Sequence, residues 1–149
     1  MQTSRRGSQS RRGSFKEMQR RLQDLIRLLN EVALSGAVVL VEGRRDEAVL
    51  RAAGYRGPLI KVKSLGHEAR NLGERISAKY KKAVLLVDFD REGSKLLRFI
   101  RRELSFYGVE VDVNLRESFF EAFYGEVREV EALRRFVEEG YEGAGLKWI

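Results

Sequence analysis

Two runs of aliphatic and β-branched residues, each ending abruptly at an acid, constrain this chain more than any other feature. Val38-Val39-Leu40-Val41 leads into Glu42-Gly43-Arg44-Arg45-Asp46, and Val84-Leu85-Leu86-Val87 into Asp88-Phe89-Asp90-Arg91-Glu92-Gly93. Neither run alternates polar with apolar residues. Each therefore reads as a strand buried on both faces, the pattern of a parallel sheet covered by helices. In an open α/β sheet the carboxyl ends of the strands form the ligand crevice. Glu42, Asp88 and Asp90, with about 45 residues between the two motifs, are thus expected on one edge of the sheet. Three carboxylates held together repel one another and resist burial unless a cation sits between them. With oxygen ligands only and no Cys in the chain, the expected cofactor is Mg2+, as one or two ions, with Mn2+ as a substitute.

The remaining pattern alternates helix and strand. Phe15, Met18, Leu22, Leu25, Ile26, Leu29 and Val32 recur at three- and four-residue steps and predict an amphipathic helix over 15–33, ended by Ser35-Gly36. A short helix is expected over 46–53, closed by Gly54, then a strand over 59–62 after Pro58. Further helices are expected over 67–80 and 94–107, strands over 83–87 and 109–113, and helix over 117–139 with a break at Gly125. The fold class predicted is α/β: a single domain with a four-stranded, mostly parallel sheet flanked by helices on both faces. A length of 149 residues suits one such domain.

Charge is concentrated at the start of the chain. Residues 1–22 hold seven cations and one acid, which leaves only +1 of the net +7 for the other 127 residues. Within this segment Ser4-Arg5-Arg6-Gly7-Ser8 recurs as Ser10-Arg11-Arg12-Gly13-Ser14. Such a composition buries too little apolar surface to fold alone, so residues 1–17 are expected to be a disordered basic tail ahead of a domain spanning 18–149. Arg5, Arg6, Arg11 and Arg12 suit an arm that tracks phosphates. The competing reading is a solvated leader, with translation starting at Met18. No apolar stretch approaches the roughly 18 residues that span a bilayer, and no apolar core follows the basic start, so neither a membrane anchor nor a secretory signal is expected. The absence of Cys suits the cytoplasm.

Glu-Gly-x-x-Asp after the first strand, with Asp-x-Asp-x-x-Gly after the third, resembles the signature of the Toprim family over roughly residues 37–115. That domain is shared by topoisomerases, bacterial-type primases, nucleases, recombination mediators and ribosomal-RNA maturases. Asp88-Phe89-Asp90-Arg91-Glu92-Gly93 is most similar to the version in type IA topoisomerases, and residues 18–149 resemble the small stand-alone Toprim proteins of archaea. The resemblance implies that Glu42, Asp88 and Asp90 hold magnesium and that Glu42 acts as a general acid or base. Two departures are Val87, where many relatives carry a small polar residue, and Ser94, where topoisomerases often carry another acid. The second argues against a full topoisomerase-type acidic cluster.

Other readings of the same residues fail or stay open. An EF-hand loop starting at Asp88 would need glutamate where Phe99 stands. A haloacid-dehalogenase Asp-x-Asp belongs on the first strand, and Gly43 belongs to no G-x-G-x-x-G. Asp46 reads either as a helix cap or as support for the metal ligands. Arg91, Lys63 and Ser64 are candidates to bind an anion in the crevice, with surface charge as the alternative for Arg91. Phe119, Phe120, Phe123 and Tyr124 have the spacing of core packing more than of a base-stacking platform, and Trp148 reads either way. His67 is the only histidine, so no histidine-based site is available.

A complete topoisomerase needs a nucleophilic tyrosine on a separate gate domain, and a bacterial-type primase needs a zinc module that a chain without Cys cannot build. Two classes remain. One is a Mg2+-dependent nuclease or related phosphotransfer enzyme acting on DNA or RNA. The other is a non-catalytic Mg2+-binding module that binds nucleic acid or a protein partner in replication, repair or RNA processing.

Overall fold

The computed structural model describes the backbone of residues 2–63, 71–87, 91–121 and 133–140, and the side chains of 15–63, 71–87, 91–118 and 133–137. Its elements are α1 (Gln2–Leu34), β1 (Ala37–Val41), α2 (Arg44–Ala52), β2 (Leu59–Lys61), α3 (Leu72–Lys79), β3 (Lys82–Leu85), α4 (Arg91–Phe106), β4 (Glu110–Asp112), α5 (Asn114–Glu121) and α6 (Arg134–Gly140). The four strands form one sheet in the order β2-β1-β3-β4, and all three pairings are parallel.

The apolar runs behave as their composition dictates. Every residue of β1 is buried, and its side chains divide by parity. Val39 and Val41, with Val84 and Leu86 of the β3 segment, pack against Met18, Leu22, Ile26 and Leu29 of α1 and against α2 and α6. Val38 and Leu40, with Ala83 and Leu85, pack against Leu72 and Ile76 of α3 and Ile100 and Leu104 of α4. A wholly buried leucine or valine contributes about 1.5–3 kcal/mol, so both faces of the two central strands are strongly driven inward. Topology follows from handedness. The chain steps from β1 to β2 in one direction and then reverses across β1 to reach β3. Right-handed crossovers place α2 on one face and α3 and α4 on the other.

Two helix ends show why glycine closes them. Gly54 (φ 109) and Gly108 (φ 76) follow α2 and α4 in the left-handed region. In each case the next amide reaches back to a carbonyl of the helix, Tyr55 to Leu50 and Val109 to Leu104, both at 2.9 Å.

Several boundaries differ from the sequence expectation; the helix expected from residue 117, for one, begins at Asn114. The tail expected to be disordered through residue 17 is instead continuous with α1, which begins at Gln2. Once the amphipathic stretch nucleates a helix, adding residues to its end costs little, so the weak propensities of Ser and Gly do not stop it. The helix expected from residue 94 begins at Arg91, with Glu92 in its first turn, where the helix dipole favours an acid. The helix expected from residue 67 begins at Leu72, and residues 64–70 lie outside the described residues. Among the described residues no helix is long and apolar enough to cross a membrane.

Candidate functional site

The strand order reverses between β1 and β3, and Glu42 and Val87 end their strand segments at that switch point. In register, Leu40 lies opposite Leu85. The Leu86 amide then donates to the Leu40 carbonyl at 2.9 Å, so pairing persists beyond β3 itself. Carried forward two residues, this register sets Glu42 level with Val87, immediately before the Asp88–Asp90 motif. The switch point is where open α/β sheets bind ligands.

Glu42 is the best-defined residue of the site. It is only 6 % exposed, an unusual position for a carboxylate. Its Oε2 lies 3.1 Å from Nζ of Lys63, which follows β2. The same two residues are joined through the backbone, where the Lys63 amide donates to the Glu42 carbonyl at 2.9 Å. Lys63 and Glu42, expected to share the crevice, are thus in direct contact. The other lysine at this end of β2, Lys61, pairs instead with Glu47 of α2 at 3.1 Å.

Asp46 is the third residue of α2 and is buried. Its Oδ2 accepts a hydrogen bond from the Gly43 amide at 3.0 Å, closing the turn between β1 and α2. This is the reciprocal half of a capping box, in which a side chain in the first turn satisfies the amide that precedes the helix.

Arg116, in the first turn of α5, is a site neighbour that the sequence reading missed. It is buried, and its Nε donates to the Val87 carbonyl at 2.9 Å. The reason lies in strand alternation. Leu86 turns its amide toward β1, so Val87 faces the other flank, where β4 ends its pairing at Val84 opposite Asp112. The Arg116 guanidinium supplies the donor that a longer β4 would have provided. α5 is itself set by Asp112, whose Oδ1 accepts from the Leu115 amide at 3.1 Å.

The other expected site residues divide by location. Arg91 opens α4 and is exposed. Asp88, Asp90 and Ser64 lie outside the described residues, as do Phe123, Tyr124, Trp148 and His67. Arg5, Arg6, Arg11 and Arg12 lie on the α1 backbone, and Phe119 and Phe120 on that of α5, with their side chains outside the described set. Among the described residues no three of His, Cys, Asp and Glu converge as a metal-holding group.

No family model matches the chain. Over 119 residues it is 33% identical to a UPF0292 protein of Thermococcus onnurineus, covering 80% of this chain and 85% of that one. The chain belongs to the UPF0292 family. A second family member, from Methanosarcina acetivorans, is 26% identical over 134 residues, covering 90% of this chain and 92% of its own length. Among solved structures, a putative protein from Aquifex aeolicus is similar, with a TM-score of 0.62 and 26% identity. The match covers 73% of this UPF0292 chain and 94% of the Aquifex protein.

Proposed function

We propose that this UPF0292 protein is a Mg2+-dependent phosphotransfer protein of the Toprim type that acts on nucleic acid, with nuclease-like chemistry. The observation that carries this reading is Glu42: a nearly buried carboxylate at the carboxyl end of β1, at the switch point, level with the strand that leads into Asp88 and Asp90. The donor set fits the ion. Carboxylate oxygens are the ligands a hard divalent cation prefers, and the buried Glu42 faces the largely exposed ammonium of Lys63. Glu42, Asp88 and Asp90 would hold the metal. When bound, Mg2+ supplies charge stabilisation for the phosphate oxygens during transfer. Glu42, fixed by its strand and by Lys63, is also positioned to exchange a proton with the attacking or leaving oxygen. Lys63 and Arg91 offer positive charge at the same edge for the phosphate backbone.

The test pairs metal binding with cleavage. Wild type, Glu42→Gln, Asp88→Asn and Asp90→Asn are titrated with Mn2+ and incubated with labelled single- and double-stranded DNA and RNA. Each substitution removes a charged ligand and should weaken Mn2+ binding at least tenfold. Glu42→Gln should also lose roughly a hundredfold or more in turnover at saturating metal, the scale of a positioned proton-transfer group. Equal background cleavage by wild type and Glu42→Gln on every substrate, with metal binding intact in the wild type, would replace the enzyme with a non-catalytic metal-binding module. Unchanged Mn2+ affinity in all three variants would remove the metal site itself.

A further inference from the structure

The solvent face of α4 combines cations with aromatic rings. Gly93, Ile100 and Leu104 are buried and fix the inward side of the helix. With about 3.6 residues per turn, the opposite side is a stripe of Arg91, Lys95, Arg98 and Arg102, all exposed. Phe99 and Phe106 rise along one flank of that stripe, 47% and 82% exposed. Like charges three and four residues apart repel one another, so the stripe works against the bare helix. Among the described residues none of these four cations is held in an ion pair. The charge is also local. α4 carries five cations against two acids, whereas the rest of the chain after residue 22 is net negative.

Phe106 is braced in this outward position. Its ring meets the Tyr107 ring edge-on, with centroids 5.2 Å apart and planes at 76°. Tyr107 in turn lies against Gly73 of α3, where an added Cβ would overlap its Cδ2 atom. A ring kept in solvent forgoes the burial that would stabilise it, and beside repelling cations it marks a face built for a ligand. A lipid surface fits poorly. Helices that lie on membranes keep their cations and their apolar residues on opposite faces, and the apolar face of α4 is already spent on the sheet. A second copy fits poorly too, because two such stripes repel. A polyanion with unpaired bases satisfies both parts, its phosphates along the cations and its bases on the rings.

We propose that α4 is a docking rail for single-stranded nucleic acid, with Arg91, Lys95, Arg98 and Arg102 along the phosphates and Phe99 and Phe106 each stacking a base. The two rings are about 10 Å apart along the helix axis, so each takes a base of its own. A duplex keeps its bases paired and stacked, out of reach of the rings, and the rail therefore selects single strands. Arg91 opens α4 just beyond the exit of β3, so a strand on the rail leads to the carboxyl edge of the sheet. This inference rests on the reading of nucleic acid as the substrate and names the form that binds. It uses no metal ligand.

The experiment measures affinity of the full chain, in chelator and over a salt series, for labelled mixed-sequence single-stranded RNA, single-stranded DNA and the DNA duplex. Wild type should bind the single strands about tenfold or more tighter than the duplex. Phe99→Ala and Phe106→Ala should each weaken single-strand binding about tenfold and leave the salt slope unchanged. Phe106→Trp keeps a ring and should bind as wild type does. Arg98→Gln combined with Arg102→Gln should flatten the slope of log affinity against log salt by about 1.4 on the single strand. Arg27→Gln, on α1 across the sheet, removes another exposed cation and should leave the slope as it is. A slope loss from Arg27→Gln as large as that from either α4 arginine overturns the rail in favour of diffuse attraction. Single strands bound no more tightly than the duplex, or ring deletions that leave single-strand affinity intact, overturn the rail while nucleic acid remains the substrate. Binding to phosphatidylserine vesicles that the ring deletions abolish, with RNA and DNA binding intact, overturns it in favour of a lipid surface. Binding of no nucleic acid, in chelator or in Mn2+, removes the rail and the nucleic-acid reading together.

Discussion

β1 and β3 lie side by side, yet the exit from each is held by a different kind of residue. After β1 the turn is secured from within: Asp46, three residues beyond Gly43, accepts the Gly43 amide and caps the helix it belongs to. After β3 the last carbonyl is secured from outside, by Arg116, which lies 29 residues further along the chain on α5. The local device needs only a strand, a glycine and a helix start. The distant device needs β4 and α5 to be folded and docked. Two acidic motifs that look equivalent therefore rest on supports of different range. The turn after β1 is capped by its own helix, whereas the β3 exit depends on the far side of the sheet.

The strongest way to break this contrast is Arg116→Met. It leaves the buried Val87 carbonyl without its charged donor, a loss worth about 2–3 kcal/mol. The denaturation midpoint in urea should fall accordingly, with little change in slope. A loss below about 1 kcal/mol would mean that the β3 exit is held by something else. Asp46→Ala, at the other exit, should cost about 1 kcal/mol, the usual worth of a helix-start cap. If Asp46→Ala proves the costlier of the two, the ranking of distant over local support is reversed.

A third experiment probes the opposite edge of the sheet. Tyr55, between α2 and β2, donates from its hydroxyl to the Pro58 carbonyl at 2.6 Å, and that carbonyl also accepts the Val39 amide at 3.1 Å. Burial pushes the Tyr55 hydroxyl up from 10.0 to about 12, against a smaller opposing pull from the Arg51 guanidinium. The folded chain therefore keeps a proton that the unfolded chain releases. Stability is fully present below pH 10.0 and should be lost as pH rises toward about 12. Tyr55→Phe should cost about 1 kcal/mol at neutral pH and flatten that alkaline decline relative to wild type, while leaving Mn2+ affinity unchanged. A change in Mn2+ affinity would show that the two edges of the sheet are not independent.

The same contrast explains what the sequence could reveal. The two central strands were legible because residues apolar on both faces fit only the interior of a covered sheet, and both elements lie where those runs predict. Glu42 was legible as the residue that ends such a run, and Asp46 as one placed to cap the helix after it. Arg116 was not. It stands in Leu115-Arg116-Glu117-Ser118, which reads as an ordinary charged helix surface, and its burial is created only when α5 docks beneath the end of β3. The Glu42–Lys63 contact was half legible: both residues were expected at one edge, but their distance depends on how β2 lies beside β1. The basic segment before Phe15 was misjudged because its composition was weighed alone, without the helix it extends.

The strand order also sets a timetable for the chain as it is made. β1 lies at the centre of the sheet, but its inner partner arrives late. At roughly 5–20 residues per second, about two to nine seconds separate the synthesis of Val41 from that of Val87. α1 precedes β1, so the face bearing Val39 and Val41 finds much of its cover at once. The face bearing Val38 and Leu40 waits for α3 and α4, with one edge of β1 unpaired throughout. A nascent chain paused between β2 and β3 thus presents a flat, fully apolar strand with an open edge, the geometry most prone to join another chain. The residues that make the finished centre dry make its youngest form the most adhesive.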